Sequence, residues 1–170
     1  MVLETTPLEA DAYGPYGSLI MAARGDVEAR SANQGRAKRY NRLADFANLR
    51  LADASMNISV FRVDPYLKVS LDIRLLEKHP KSTQLFVPMN AERYLVIVAL
   101  GDERPDLSTL KAFVARPHQA ISYHPGVWHH PMVALDSSTD FVCMSYEDDT
   151  PADCVEYPFL ESEIVQVQFA

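Results

Sequence analysis

Two short stretches of the chain gather side chains that can exchange protons near neutral pH. In LEKHPKSTQLF, Glu77 and His79 are two residues apart and Gln84 lies five beyond His79. Residues i and i+2 of a strand face the same side, so a carboxylate and an imidazole can be presented to one point. In YHPGVWHHP, Pro125 and Gly126 make a turn, after which the chain offers His129 and His130 between Trp128 and Pro131. Imidazole serves as either general acid or general base near neutrality, and a carboxylate can take the complementary role. Strand alternation that points His129 inward turns His130 outward.

The elements that must hold these clusters read as short strands. Eleven Pro against six Gly in 170 residues disfavour a helix bundle, because proline lacks the backbone N–H and interrupts helices. From Met56 the pattern has period two, with Ile58, Val60 and Arg62 pointing one way in NISVFRV. Val69, Leu71, Ile73 and Leu75 then alternate with Lys68, Ser70, Asp72 and Arg74, which predicts one half-buried strand. LFVPM, YLVIVAL, KAFVAR, AISYH, PMVAL, DFVCMSY and IVQVQF follow as short β-rich runs, punctuated by proline, glycine, asparagine and aspartate. Such spacing argues for a sandwich or small barrel. Few helices are expected. Thr6 is placed to cap a first turn with Pro7 at its first helical position and Glu9 three residues on, and PDLSTLKAF can form one turn capped by Asp106 or Ser108. The segment SANQGRAKRYNRLADFANLR reads as a loop running into short helical or extended structure. No repeat, low-complexity tract or linker divides the chain, so residues 1–170 are expected to form a single domain.

Composition excludes several functions. Sixteen Lys and Arg against 23 Asp and Glu give a net charge of −7, which argues against nucleic acid as a partner because phosphate binding requires a basic face. A 48% hydrophobic share is ordinary for a globular protein. No apolar run approaches the ~20 residues of a membrane helix, and Glu4, Glu9 and Asp11 are unlike the start of a signal peptide. Cys143 and Cys154 have no zinc-ribbon spacing and make no disulfide framework. A reduced, cytoplasmic protein with no membrane association is the expectation.

The two clusters resemble the two motifs of the cupin superfamily. Pro125, Gly126 and His129 satisfy P-x-G-x-x-H, whereas Glu77 stands where the first motif has its first histidine and Gln84 where it has an acid. Two imidazoles, a carboxylate and an amide oxygen form a donor set suited to a divalent transition metal. His79, His129, Glu77 and Gln84 are thus candidate ligands for nickel, manganese or zinc, and no organic cofactor is expected. A narrower resemblance spans most of the chain. The blocks EKHPKSTQLFVPM, YLVIVALGDERPDLSTLKAFVA, ISYHPGVWHHPMVAL and TDFVCMSYED, with the upstream NQGRAKRYNRLA, resemble the ureidoglycolate lyase family, formerly called ureidoglycolate hydrolase. The resemblance implies a mainly β, cupin-type barrel or jelly roll with a few short helices, commonly a homodimer, that converts (S)-ureidoglycolate to glyoxylate and urea.

Ureidoglycolate carries a hydroxyl, a carboxylate and a urea nitrogen on one carbon. Its cleavage needs a base for the hydroxyl proton and an acid for the departing nitrogen. Glu77, His79 and His129 are the candidates for those roles, and Gln84 is the candidate to orient the urea group. The substrate carboxylate requires a cationic partner, for which guanidinium is the better geometric match. Arg39 leads, with Arg36 and Lys78 behind it, and Tyr40 and Asn33 belong to the same family-like segment. The apolar run IVQVQF is expected to offer a strand edge to the second subunit.

Taken singly, each of these residues has a plainer reading. A Glu beside a His is often a solvated pair, and Arg36, Lys38, Arg39 and Arg42 alone would be a solvated loop. His118, His124 and His130 read as structural or surface residues, Trp128 as packing, Cys143 as a small buried hydrophobe and Cys154 as an idle surface thiol. Three other functions remain open from sequence: hydrolysis of ureidoglycolate to ammonia and carbon dioxide, a cupin dioxygenase or isomerase, and a non-catalytic small-molecule binding module.

Overall fold

The computed structural model describes residues 1–50 and 54–169. Its organisation follows from the run Tyr94–Ala99, in which every residue is buried. Tyr94, Val96 and Val98 face one apolar cluster, together with Phe86, Ile121 and Phe141, while Leu95, Ile97 and Ala99 face another, together with Leu71, Ile73, Val165 and Val167. A strand covered on both faces is apolar throughout rather than alternating. Tyr94–Ala99 therefore lies in the middle of three layers.

The middle layer is a seven-stranded sheet, ordered Val155–Pro158, Leu75–Lys78, Trp128–His129, Tyr94–Ala99, Lys111–Ala115 and Thr6–Pro7, with Val133–Ala134 also paired to Tyr94–Ala99. On one side lies a five-stranded sheet in the order Gly17–Ile20, Ala120–Tyr123, Gln84–Pro88, Thr139–Glu147 and Ser55–Val63. On the other lies a three-stranded sheet, Val2–Glu4, Val165–Gln168 and Ser70–Ile73. Gly17 approaches the backbone of Ser122 so closely that any side chain would collide with its carbonyl. The fold is mainly β, with one short α-helix at Ala10–Tyr13 and three 3-10 turns among the described residues. This matches the expected mainly β, cupin-type architecture; no strand pairing among the described residues joins the seven- and five-stranded sheets edge to edge, so a closed barrel is not detected.

Several local expectations are corrected. Thr6 and Pro7 belong to a strand, and the helix starts after Glu9, whose side chain makes no cap bond. The alternation from Val69 to Leu75 does not form one strand: Leu71 and Ile73 are buried, but beyond Arg74 it is Leu76 that is buried, not Leu75. The chain changes sheets at that point, which shifts its inward phase by one residue. Ile58 and Val60 share a face as their spacing requires, but that face is exposed. IVQVQF offers no free edge. Val165–Gln168 is the central strand of its sheet, parallel to Val2–Glu4 and antiparallel to Ser70–Ile73. The turn at Leu107–Thr109 is capped by Asp106, whose carboxylate accepts from the Ser108 N–H at 3.0 Å. The segment read as a loop contains a small hairpin, Arg30–Ala32 with Ala37–Arg39, around a turn at Asn33–Gly35. No helix among the described residues is long and apolar enough to cross a membrane.

This layering positions the polar clusters. Leu76 and Trp128 pack toward the three-stranded sheet, so their neighbours Glu77 and His129 point the other way, into the space between the two larger sheets. Gln84 reaches the same space from the opposite wall, on the face it shares with Phe86.

Candidate functional site

Glu77 and His129 are directly opposed across neighbouring strands. His79 follows Glu77 by two residues, past the end of its strand, and its ring lies 5.5 Å from that of His129. One donor atom from each of Glu77, His79 and His129 can be chosen so that all lie within 4.8 Å of one another. The sequence-predicted pair of clusters is thereby a single constellation.

The two imidazoles are held alike. His79 Nδ1 lies 2.8 Å from the Asp153 carbonyl oxygen, and His129 Nδ1 lies 2.9 Å from that of Val127. A carbonyl only accepts, so each Nδ1 must carry the proton and donate it. In the neutral rings both Nε2 atoms are then left with lone pairs. Both are buried without a hydrogen-bond partner among the described residues, and so is Gln84 Oε1. His129 Nε2 stands 3.6 Å from Glu77 Oε1. Each buried acceptor left unmatched costs about 1–3 kcal/mol, so this group calls for a cation or a donor-rich ligand. Two imidazole nitrogens, a carboxylate and an amide oxygen fit a divalent transition metal.

Tyr123 backs the site. Its ring stacks on His129 at 3.9 Å with 9° between planes, and its buried hydroxyl faces Met132 Sδ at 3.7 Å. Burial pushes His79 down to about 4, the charge of His129 adds to this, and Glu77 and Glu147 oppose it. His79 is therefore neutral at physiological pH, the form that accepts a proton or binds a metal. Burial raises the Glu77 carboxyl, but His129, followed by His79 and His130, more than reverses this and leaves it below its ordinary value.

The other candidates are held by different contacts. Lys78 projects from the opposite face of its strand, with Nζ 4.5 Å from the Trp128 ring centre and donating to the Asp102 carbonyl. Strand alternation separates it from Glu77. Asn33, Arg39 and Tyr40 belong to the hairpin and its exit, whose two strands pair with each other and with no other strand among the described residues. Arg39 shares a polar surface cavity with Arg30, Arg42, Asp26 and Glu28. Trp128 is fully buried, as its plainer reading expected. Cys143 is buried as well, and burial pushes its thiol up to about 12. Cys154 is no idle surface thiol: its Sγ lies 3.9 Å from Glu77 Oε2. Sequence reasoning also missed Val127 and Asp153, which act through backbone carbonyls and so leave no mark in residue type. Tyr123 was legible only as part of a strand.

The depressed His79 value has a consequence for stability. Between its ordinary 6.5 and about 4, the unfolded chain takes up a proton that the folded chain refuses, so stability falls as pH drops through this window. After chelation, His79→Gln should show a flatter decline between those pH values than the wild type in denaturant melts. An identical slope in the two proteins would contradict the assignment.

The sequence profile of the ureidoglycolate lyase family matches residues 1–167. Curated ureidoglycolate lyases from Salmonella paratyphi B and Escherichia coli are 42% and 41% identical to the chain over 142 residues, which is 84% of this chain and 86% of theirs. Among solved structures, a dTDP sugar isomerase from Desulfovibrio desulfuricans is 17% identical, with a TM-score of 0.47 over 85% of this chain and 86% of its own. On the first two of these findings, the chain belongs to the ureidoglycolate lyase family.

Proposed function

We propose that the protein cleaves (S)-ureidoglycolate to glyoxylate and urea. The observation that carries this reading is the convergence of Glu77, His79 and His129 on one buried point in a chain of this family. The reaction needs neither water nor a redox partner. The hydroxyl proton leaves, its electron pair forms the carbonyl of glyoxylate, and the C–N bond breaks toward nitrogen. That nitrogen takes up a proton to complete urea.

The site residues meet these demands in distinct ways. Neutral His79 offers a free Nε2 lone pair for the hydroxyl proton, and that same proton, passed to His129 Nε2 beside the Glu77 carboxylate, is the one delivered to the departing nitrogen, so no outside acid is needed. Gln84 Oε1 is the acceptor for a urea N–H. A divalent ion such as nickel, manganese or zinc, bound by Glu77, His79, His129 and Gln84, would supply positive charge that lowers the pKa of the substrate hydroxyl. Those residues would then serve as its ligands instead of as acid and base, because the same Nε2 lone pairs are used in either role. Arg39 is proposed for the substrate carboxylate, on the chemistry of its guanidinium and the family-like segment that carries it.

A second copy of the chain fits the outer face of the five-stranded sheet. There Ile58 and Val60 are 64% and 59% exposed, beside Val142 and Met144 of the paired strand and the half-exposed Val87. Apolar side chains grouped in this way mark an interface, and we assign it to a homodimer. Sedimentation should find the wild type dimeric and the Ile58→Asp, Val60→Asp double variant monomeric. A wild-type monomer, or a double variant of unchanged mass, would remove the interface.

Incubation with (S)-ureidoglycolate should release urea and glyoxylate in equal amounts without ammonia. Release of ammonia without urea would make the enzyme a hydrolase, and saturable binding without turnover would make it a binding module. In the same assay Arg39→Ala should raise KM roughly 10- to 100-fold, the equivalent of one charge-assisted hydrogen bond. An unchanged KM would remove Arg39 from the site.

A further inference from the structure

We infer that Arg50 is a positioning residue for this site: by fastening the segment from Tyr146 to Asp153 it fixes the ring of His79 and the carboxylate of Glu77. The inference deepens the proposed function and rests on it for the role of the cluster. The contacts themselves are independent of which substrate is used.

The Arg50 side chain is only 7% exposed. Its guanidinium reaches the end of the Thr139–Glu147 strand and the loop after it: Nη1 donates to the Tyr146 carbonyl at 2.8 Å, Nε to Asp148 Oδ2 at 3.3 Å, and Nη2 pairs with Asp153 Oδ1. The loop is also tied within itself. The Asp148 N–H donates to Asp153 Oδ2 at 3.0 Å, and the Thr150 N–H and hydroxyl donate to Asp148 Oδ1 at 3.1 and 2.6 Å. Arg50 sits between the Asp148 and Asp153 carboxylates, and its single charge offsets part of their mutual repulsion. A planar fork with several donors can hold three acceptors in fixed directions, which an ammonium cannot.

Both ends of this fastening meet the site. On the arginine's side, the Leu49 N–H donates to the Lys81 carbonyl at 2.7 Å, and Ala47 and Thr83 exchange bonds at 3.0 Å, so the segment carrying Arg50 is tied to the stretch between His79 and Gln84. On the loop's side, the Asp153 carbonyl accepts the Nδ1–H of His79, and the next residue, Cys154, places its thiol 3.9 Å from Glu77 Oε2. Val155–Pro158 then pairs with Leu75–Lys78. Two of the three convergent donors therefore owe their orientation to a turn that Arg50 secures. Should the Asp153 carbonyl swing away, His79 loses the partner that keeps its proton on Nδ1. The ring is then free to carry the proton on Nε2, turning a donor onto the point where Glu77 and His129 present acceptors. Partners of this kind, behind the residues that touch a ligand, set ring orientation and tautomer.

The test reads the His79 tautomer directly, from long-range proton–nitrogen NMR correlations of the imidazoles at a pH where the ring is neutral. Wild-type His79 should show a single Nδ1–H form. Arg50→Met, with its folding checked by thermal melting, should show loss of that single form and an average with the Nε2–H tautomer, and Arg50→Lys should fall between the two. Should Arg50→Met fail to fold, Asp153→Asn cuts the ion pair while keeping the carbonyl and should shift the tautomer in the same direction. A folded variant with the wild-type His79 spectrum would overturn the inference, as would an Arg50→Lys spectrum no nearer the wild type than that of Arg50→Met. The reading does not depend on turnover. A wild type that releases no urea would overturn the proposed function alone, whereas normal urea release with an unmoved tautomer would overturn only the role of Arg50.

Discussion

The two hydrogen bonds from imidazole Nδ1 atoms to backbone carbonyls govern the chemistry of this interior. Because His79 donates its Nδ1–H to the Asp153 carbonyl and His129 donates its own to that of Val127, both rings present lone pairs to one space. With Glu77 on the same wall and Gln84 opposite, the space becomes rich in acceptors, and among the described residues the two Nε2 atoms and Gln84 Oε1 have no donor. Such a surface is unfavourable unless something electron-poor completes it. The fold tolerates the cost locally because the surrounding apolar layers are extensive.

Those layers explain why the constellation can be buried. Tyr94–Ala99 is covered on both faces, so the seven-stranded sheet acts as a floor between two apolar clusters. Leu76 and Trp128 anchor the underside, and the period of two then delivers Glu77 and His129 to the upper side. Tyr123, stacked on His129, carries the apolar wall up to the polar centre and shields one ring face from solvent. Positioning thus passes from hydrophobic packing to strand alternation, and from there to the two carbonyl contacts.

Much of this was legible in the sequence, for physical reasons. The i, i+2 relation of Glu77 and His79 and the turn before His129 are local, and local geometry survives folding. The β-rich runs were legible for the same reason. What failed was non-local. Nothing in the run from Val69 to Leu75 shows that the chain changes sheets at Arg74, because the alternation continues through the break. Likewise, the apolar pattern of IVQVQF and that of NISVFRV look alike, yet the first became a central strand and the second an edge with an exposed face. Lys78 was drawn to the site by adjacency to Glu77, and alternation carried it to the other side of the sheet. Arg50, Asp153 and Cys154 reach the site across long stretches of chain, through a backbone carbonyl or a weak thiol contact, and no spacing rule connects them to it.

The central claim is that Glu77, His79, His129 and Gln84 form one acceptor-lined centre suited to a divalent cation. The most direct measurement is anomalous diffraction from crystals of the protein equilibrated with manganese. The account expects one strong peak in contact with Glu77, His79 Nε2, His129 Nε2 and Gln84 Oε1. The absence of a peak there at saturating manganese, with the two Nε2 atoms instead hydrogen-bonded to protein groups, would contradict it.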